Sequence, residues 1–163
     1  MPCGGKFLWI TTGKERNLWN CRRRKKGKST LKNNGILPDT CAWIDYFRPG
    51  VAPLGQALDK ALSAEIVYVC GPVLYELVQG AKSKKEQSML INALGALPYL
   101  EINESLWIKA GQMSSALRQK GETIPFSDIL IAVLALEHNL AVLTIDDHFR
   151  DIPDLTLHPI PGG

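Results

Sequence analysis

Asp39, Glu76, Asp128 and Asp146 are the residues of this chain whose type and setting best fit chemistry. Asp39 ends the apolar run Ile36-Leu37-Pro38, and Asp146 ends Val142-Leu143-Thr144-Ile145. Asp128 opens the apolar stretch Ile129-Leu130-Ile131-Ala132, and Glu76 sits in Tyr75-Glu76-Leu77-Val78. In an alternating α/β chain, strand C-termini and helix N-termini meet along one edge of the sheet, where ligands bind. Four carboxylates gathered there repel one another, and a divalent cation relieves that repulsion. Hard oxygen donors suit Mg²⁺ or Mn²⁺. The chemistry that follows is metal-assisted hydrolysis of a phosphodiester.

Taken singly, each acid has a plainer role. Asp39 or Asp146 could cap the helix that follows it. Asp128 could favour the positive end of its own helix, and Glu76 could be a solvated helix residue. The joint placement is what points to a site. Thr40, Ser127 and Thr144 adjoin three of the four acids and offer hydroxyls to hold them. Other acids, such as Asp45, Asp59, Glu86, Glu104 and Glu137, lack a strand-end or buried-helix setting.

The elements that must position these residues alternate along the chain. A strand is expected at about 36–39, a helix at 40–47, and a second helix at 54–64 with Leu54, Ala57, Leu58, Ala61 and Leu62 at helical spacing. The β-branched and aromatic run 66–69 reads as a strand. Helices follow at 72–80, stopped by Gly80, and at 84–96. A short strand at 99–102 precedes an amphipathic helix at 104–119, with Leu106, Ala110, Met113 and Leu117 on one face. The helix at 125–138 is apolar all round and should be central. A buried strand at 141–145, a helical turn at 147–150 and an edge strand at 155–157 complete the pattern. Strands alternating with helices imply a mainly parallel sheet covered on both faces, a three-layer α/β/α sandwich.

The length of 163 residues suggests one folded domain, and 45% hydrophobic content is enough for a sizeable core. No apolar run reaches the ~18–20 residues of a membrane span, and Phe7 to Thr12 is too short for a signal-peptide core. A cytoplasmic location is the default expectation. Cys3, Cys21, Cys41 and Cys70 form no Cys-x-x-Cys pair, so they give neither a zinc motif nor a disulfide framework. Cys41 and Cys70 read as small core residues. His138, His148 and His158 lack close metal-ligand spacing and read as structural or exposed.

The net charge of +3 hides an asymmetry. Residues 1–35 hold ten Lys or Arg against one acid, whereas residues 36–163 hold nine against 15. The run Arg22-Arg23-Arg24-Lys25-Lys26-Gly27-Lys28 repels itself, and the segment shows no sustained apolar period. The division expected is a basic, disordered extension at 1–35 and a folded body at 36–160, with an RNA-binding arm as the rival reading of the extension. Lys82, Lys84, Lys85, Arg118 and Lys120 are candidate phosphate contacts on the body.

These segments resemble a known family. Ile36-Leu37-Pro38-Asp39-Thr40-Cys41-Ala42-Trp43 looks like the opening strand and helix of PIN-domain ribonucleases, most closely the VapC-type toxins of toxin–antitoxin modules. Tyr75-Glu76-Leu77-Val78-Gln79-Gly80, Ser127-Asp128-Ile129-Leu130-Ile131-Ala132 and Leu143-Thr144-Ile145-Asp146-Asp147-His148-Phe149 resemble the later motifs, in order, over about 36–160. The resemblance implies a parallel-sheet α/β/α sandwich and a Mg²⁺- or Mn²⁺-dependent endoribonuclease. It places Asp39, Glu76, Asp128 and Asp146 on the family's acidic positions as metal ligands and catalytic residues. It also implies an RNA substrate, a homodimer and neutralisation by a cognate antitoxin protein. Many members carry a further Asp where His148 stands here. Residues 1–35 have no counterpart in the family. Two other readings remain beside the toxin: a PIN-type nuclease in RNA processing or DNA repair, and a non-catalytic binding module whose acids only cap helices.

Overall fold

The structure, a computed structural model, describes residues 34–50 and 52–160. The expected disordered extension therefore lies outside the described residues, save for Asn34 and Gly35. Five short strands run β1 (Ile36–Pro38), β2 (Val69–Cys70), β3 (Tyr99–Leu100), β4 (Ala141–Leu143) and β5 (Thr156–Leu157). Between them lie α1 (Thr40–Phe47), α2 (Pro53–Ala64), α3 (Gly71–Gly80), α4 (Lys84–Leu94), α5 (Glu104–Gln119) and α6 (Phe126–His138), with a 3₁₀ turn at Asp147–Asp151. No helix among the described residues is long and apolar enough to cross a membrane.

All the pairings among the described residues are parallel. β1 pairs with β4, β4 with β5, and β2 with β3. A bridge between Ile36 and Val67 joins the two groups, with Ile36 N–H donating to the Ile66 carbonyl and Tyr68 N–H to the Ile36 carbonyl. The order across the molecule is thus β3-β2-β1-β4-β5. The chain steps outward from β1 to β3 and then returns to the other side of β1. Right-handed crossovers in opposite directions put helices on both faces, which gives the three layers. The reversal also makes the crevice beyond the C-terminal ends of β1 and β4 the switch point of the sheet, where ligands bind in open α/β folds.

β1 and β4 are buried along their whole length, as central parallel strands must be. From Ile129 to Ala135 α6 is buried on every side, so its apolar sequence reflects a central position. Differences from the expected boundaries are small. The pairing at 66–69 starts as a single bridge and becomes a ladder only at Val69. β4 ends at Leu143 instead of Ile145 because its partners run out there: β1 ends at Pro38, opposite Leu143, and β5 pairs only with Ala141 and Val142.

Gly35 sets the entry to β1. Its φ is +146°, and an added Cβ would lie 2.5 Å from the Ile66 carbonyl oxygen and 2.9 Å from the Tyr68 ring. Positive φ costs a non-glycine residue about 1–3 kcal/mol. The contact with Ile66 adds to this, because it is backbone and cannot turn away. Gly35→Ala is therefore expected to lower the urea midpoint by more than a surface Gly→Ala change does. An unchanged midpoint would show that the β1 entry relaxes freely.

Candidate metal centre

The acids converge at the switch point because the chain turns from strand to helix there. Asp39 leaves β1 and caps α1, its Oδ1 accepting from Thr40 N–H at 2.6 Å. Its Oδ2 faces the other way and accepts from the Thr144 hydroxyl at 3.0 Å and the Cys41 thiol at 3.1 Å. The Thr144 hydroxyl in turn accepts from Asp146 N–H at 2.9 Å. One side chain at the end of β4 thus ties the Asp39 carboxylate to the backbone of Asp146. Asp146 caps the 3₁₀ turn, its Oδ1 accepting from His148 N–H at 3.0 Å. The capping role that the sequence offered as the plain explanation is real for both aspartates. It does not compete with a site, because the two oxygens of a carboxylate offer about four acceptor positions.

Asp128 lies in the first turn of α6 and is 8% exposed, close to the 7% of Asp39. Ser127 donates to its Oδ1 at 3.2 Å. His148 Nδ1 stands 3.4 Å from its Oδ2 and 3.1 Å from Asp146 Oδ1. Glu76 reaches the cluster from α3, accepting from the Thr40 hydroxyl at 2.5 Å. All four acids expected from sequence are therefore tied to one another through hydrogen bonds, and Thr40, Ser127 and Thr144 each hold a carboxylate. Asp128, Asp146 and His148 form the tightest group, with one donor atom from each within 4.8 Å of the others. Asp39, linked through Thr144, and Glu76, linked through Thr40, stand outside that group.

Two participants were missed. His148 read as structural or exposed, yet its ring faces two of the acids. Cys41 read as a small core residue, yet its half-buried thiol donates to Asp39. The signal for His148 was its place two residues after Asp146, where a turn brings ring and carboxylate together. Cys41 carried the matching signal, two residues after Asp39 in the first turn of α1.

The electrostatics are those of crowded, buried anions. Burial pushes the Asp39 carboxyl above its ordinary value, against hydrogen bonds that lower it, and Glu76 adds to the rise. Burial, with Asp39 and then Asp146 nearby, pushes Asp128 up to about 6. The Cys41 thiol is pushed up by burial and by the Asp39 charge, so it remains a neutral donor. The Asp128 and Asp146 carboxylates and the His148 imidazole, with the Asp39 charge beside them, fit a divalent cation bound by oxygen with a nitrogen available.

Exposed apolar side chains lie near these acids in sequence. Tyr75 precedes Glu76, Ile145 precedes Asp146, and Phe126 lies two residues before Asp128; each is more than 60% exposed. Phe126 stacks on Trp107, with centroids 6.0 Å apart and planes at 19°. Lys82, Lys84, Lys85, Arg118 and Lys120 are all exposed.

The family model for the PIN domain matches residues 36–155. Ribonuclease VapC11 of Mycobacterium tuberculosis is 30% identical over 125 residues, which cover 74% of this chain and 93% of that protein. Ribonuclease VapC21 of the same species is 24% identical over 117 residues, covering 70% and 85%. Among solved structures, VapBC2 from Rickettsia felis bound to a DNA fragment from its promoter aligns with a TM-score of 0.64 at 23% identity, covering 76% of this chain and 96% of that one. A toxin–antitoxin complex from Klebsiella pneumoniae aligns with a TM-score of 0.59 at 25% identity, covering 75% and 96%.

Proposed function

The chain belongs to the PIN-domain family, and from that premise we propose that it is a Mg²⁺- or Mn²⁺-dependent endoribonuclease acting as the toxin of a toxin–antitoxin pair. The observation that carries this reading is the convergence of Asp39, Asp128 and Asp146 at the sheet's switch point, with burial raising two of them. The cluster is an anionic hole that needs a cation. Relatives named as ribonucleases of this family supply the substrate class.

Asp39, Asp128 and Asp146 would hold the cation, with Glu76 completing the arrangement or orienting the attacking water. When bound, the cation supplies neutralising charge for a phosphate oxygen and acidifies a water. The chain's own residues do the rest. Thr144 fixes the Asp39 carboxylate against the backbone of Asp146, so the two donors keep a set spacing. Thr40 holds Glu76, and Ser127 holds Asp128. Water as the nucleophile leaves the RNA 2′-hydroxyl without a required role. The exposed ring of Tyr75 and the outer face of the Phe126–Trp107 stack offer stacking faces to unpaired bases.

The antitoxin would work by competition. A segment carrying Arg or Lys can pair with the acids in place of the cation, and an apolar part can pack against helices beside the mouth. A homodimer and a cytoplasmic setting complete the reading. The test is cleavage of RNA with and without Mg²⁺, wild type against Asp39→Ala, together with expression in the native host and a pull-down for a small partner encoded beside it. Harmless expression and no captured partner would remove the toxin role. Cleavage that survives both chelation and Asp39→Ala would remove the enzyme.

Residues 1–35 are proposed to be dispensable for catalysis. A chain beginning at Asn34 is expected to cleave at the full-length rate and with the same salt slope. Each phosphate contacted by the arm would steepen the slope of log affinity against log salt by about 0.7 for a single strand. A shallower slope in the shortened chain would therefore reveal an RNA-binding arm.

A further inference from the structure

We propose that His148 is a nitrogen ligand of the cation, and that it moves the preference of this centre away from Mg²⁺ toward the later transition-metal ions, with Mn²⁺ between. The proposal rests on the reading that the acidic cluster holds a divalent cation. It concerns a position where this chain carries an imidazole among carboxylates.

The geometry is that of neighbouring ligands. His148 Nδ1 lies 3.1 Å from Asp146 Oδ1 and 3.4 Å from Asp128 Oδ2. Two donors at about 2.1 Å from a common ion are separated by about 3.0 Å in an octahedron and about 3.4 Å in a tetrahedron. The two His148 spacings are of that order, and the three donor atoms all lie within 4.8 Å of one another. The ring is also placed in advance. His148 N–H is bonded to Asp146 Oδ1 within the 3₁₀ turn, and the next residue, Phe149, is buried and anchors that turn in the core. The His148 side chain is 41% exposed, so the centre is open on that side to water and substrate.

The chemistry follows from donor type. Carboxylate oxygen suits Mg²⁺, and Mg²⁺ binds nitrogen reluctantly. Imidazole favours the later divalent ions, whose affinity for mixed nitrogen and oxygen sites rises from Mn²⁺ to Co²⁺ and beyond. An all-carboxylate centre would gain less along that series. An imidazole that merely pairs with Asp146 and Asp128 would produce the same geometry without any metal preference, and the experiment separates the two.

The full-length chain is titrated calorimetrically with MgCl₂, MnCl₂ and CoCl₂ in the absence of RNA, as wild type, His148→Ala and His148→Asp. The Mn²⁺-loaded proteins are then examined by pulsed EPR for nitrogen coupling. The wild type is expected to show histidine nitrogen coupling that is lost in both variants. The ratio of Co²⁺ to Mg²⁺ affinity is expected to fall at least about ten-fold in each variant, since even partners outside the ligand shell change metal affinity by about 10–100-fold. His148→Asp is expected to keep Mg²⁺ binding, because it replaces nitrogen with oxygen. Mn²⁺ binding without nitrogen coupling, or an unchanged affinity ratio in both variants, would overturn the proposal and leave the carboxylate centre standing. Failure of the wild type to bind any of the three ions would overturn both.

Discussion

Replacing Asp128 by Asn is expected to abolish RNA cleavage while making the metal-free protein more stable. The two effects have one cause. Asp128 is nearly buried, and its carboxyl is pushed up to about 6 by burial and by the charges of Asp39 and Asp146. At neutral pH the folded protein carries this group ionised against its preference. A carboxyl whose pKa is raised by folding stabilises most below its unfolded value near 4 and loses that contribution as pH rises through the folded value. The window is therefore about pH 4 to 6. At 1.36 kcal/mol per pH unit, reduced for the solvent that still reaches the group, Asp128→Asn should gain about 1–2 kcal/mol at pH 7 without metal. Asn retains an acceptor for the Ser127 hydroxyl and a group for His148. The difference in Tm between variant and wild type should be small at pH 4, grow to pH 6 and then level off. Adding divalent cation should reverse the order, because binding stabilises only the protein that binds. Cleavage should fall by more than ~100-fold, the upper end of the cost of losing a partner outside the ligand shell. Asp39→Asn should behave alike in activity. Its gain in stability should be smaller, because its Oδ2 accepts from two side chains that an amide nitrogen cannot satisfy in the same way. An Asp128→Asn protein that is less stable than wild type at pH 7 without metal would refute the electrostatic account.

Trp43 is expected to give the largest loss of stability, and its conservative replacement an unusually small one. Its indole is fully buried beneath α1 and packs on Tyr46 and Phe47, with centroids at 6.0 and 5.8 Å. Truncation to Ala at such a site costs about 3–5 kcal/mol. The same indole buries an N–H without a partner among the described residues, and an unsatisfied buried donor costs about 1–3 kcal/mol. Trp43→Phe removes that donor along with some volume, so the two changes offset and the net cost should stay within about 1 kcal/mol. Urea unfolding of the two variants checks this. A Trp43→Phe protein as damaged as Trp43→Ala would mean that the indole is satisfied in solution or that its shape alone matters. The prediction reaches the site, because α1 carries Thr40 and Cys41 at its N-terminus. Loss of its packing should release the Asp39 carboxylate from both.

The alternation of strands and helices was legible in the sequence because each element must bury a stripe or a face, and burial writes itself into residue spacing. The helices expected at 40–47 and 104–119 match the observed ones. The strand expected at 141–145 stops at Leu143, because periodicity records what faces the core and not when a backbone leaves its partner. The four acids were legible for a related reason. Asp39, Asp128 and Asp146 each interrupt or border an apolar run, where a charge is conspicuous, and Glu76 sits among apolar residues. What the tertiary structure alone decided is how these residues meet. Thr144 bonds Asp39 across 105 positions, and Thr40 bonds Glu76 across 36. The first depends on β4 returning to the far side of β1, which places the strand ends side by side, and the second on α3 following β2 on the near side. His148 and Cys41 joined the cluster by the same logic. The first turn of α1 after β1 and the 3₁₀ turn after β4 bring them to the acids, and the direction of a side chain at such a point follows from backbone geometry that hydrophobic spacing does not encode.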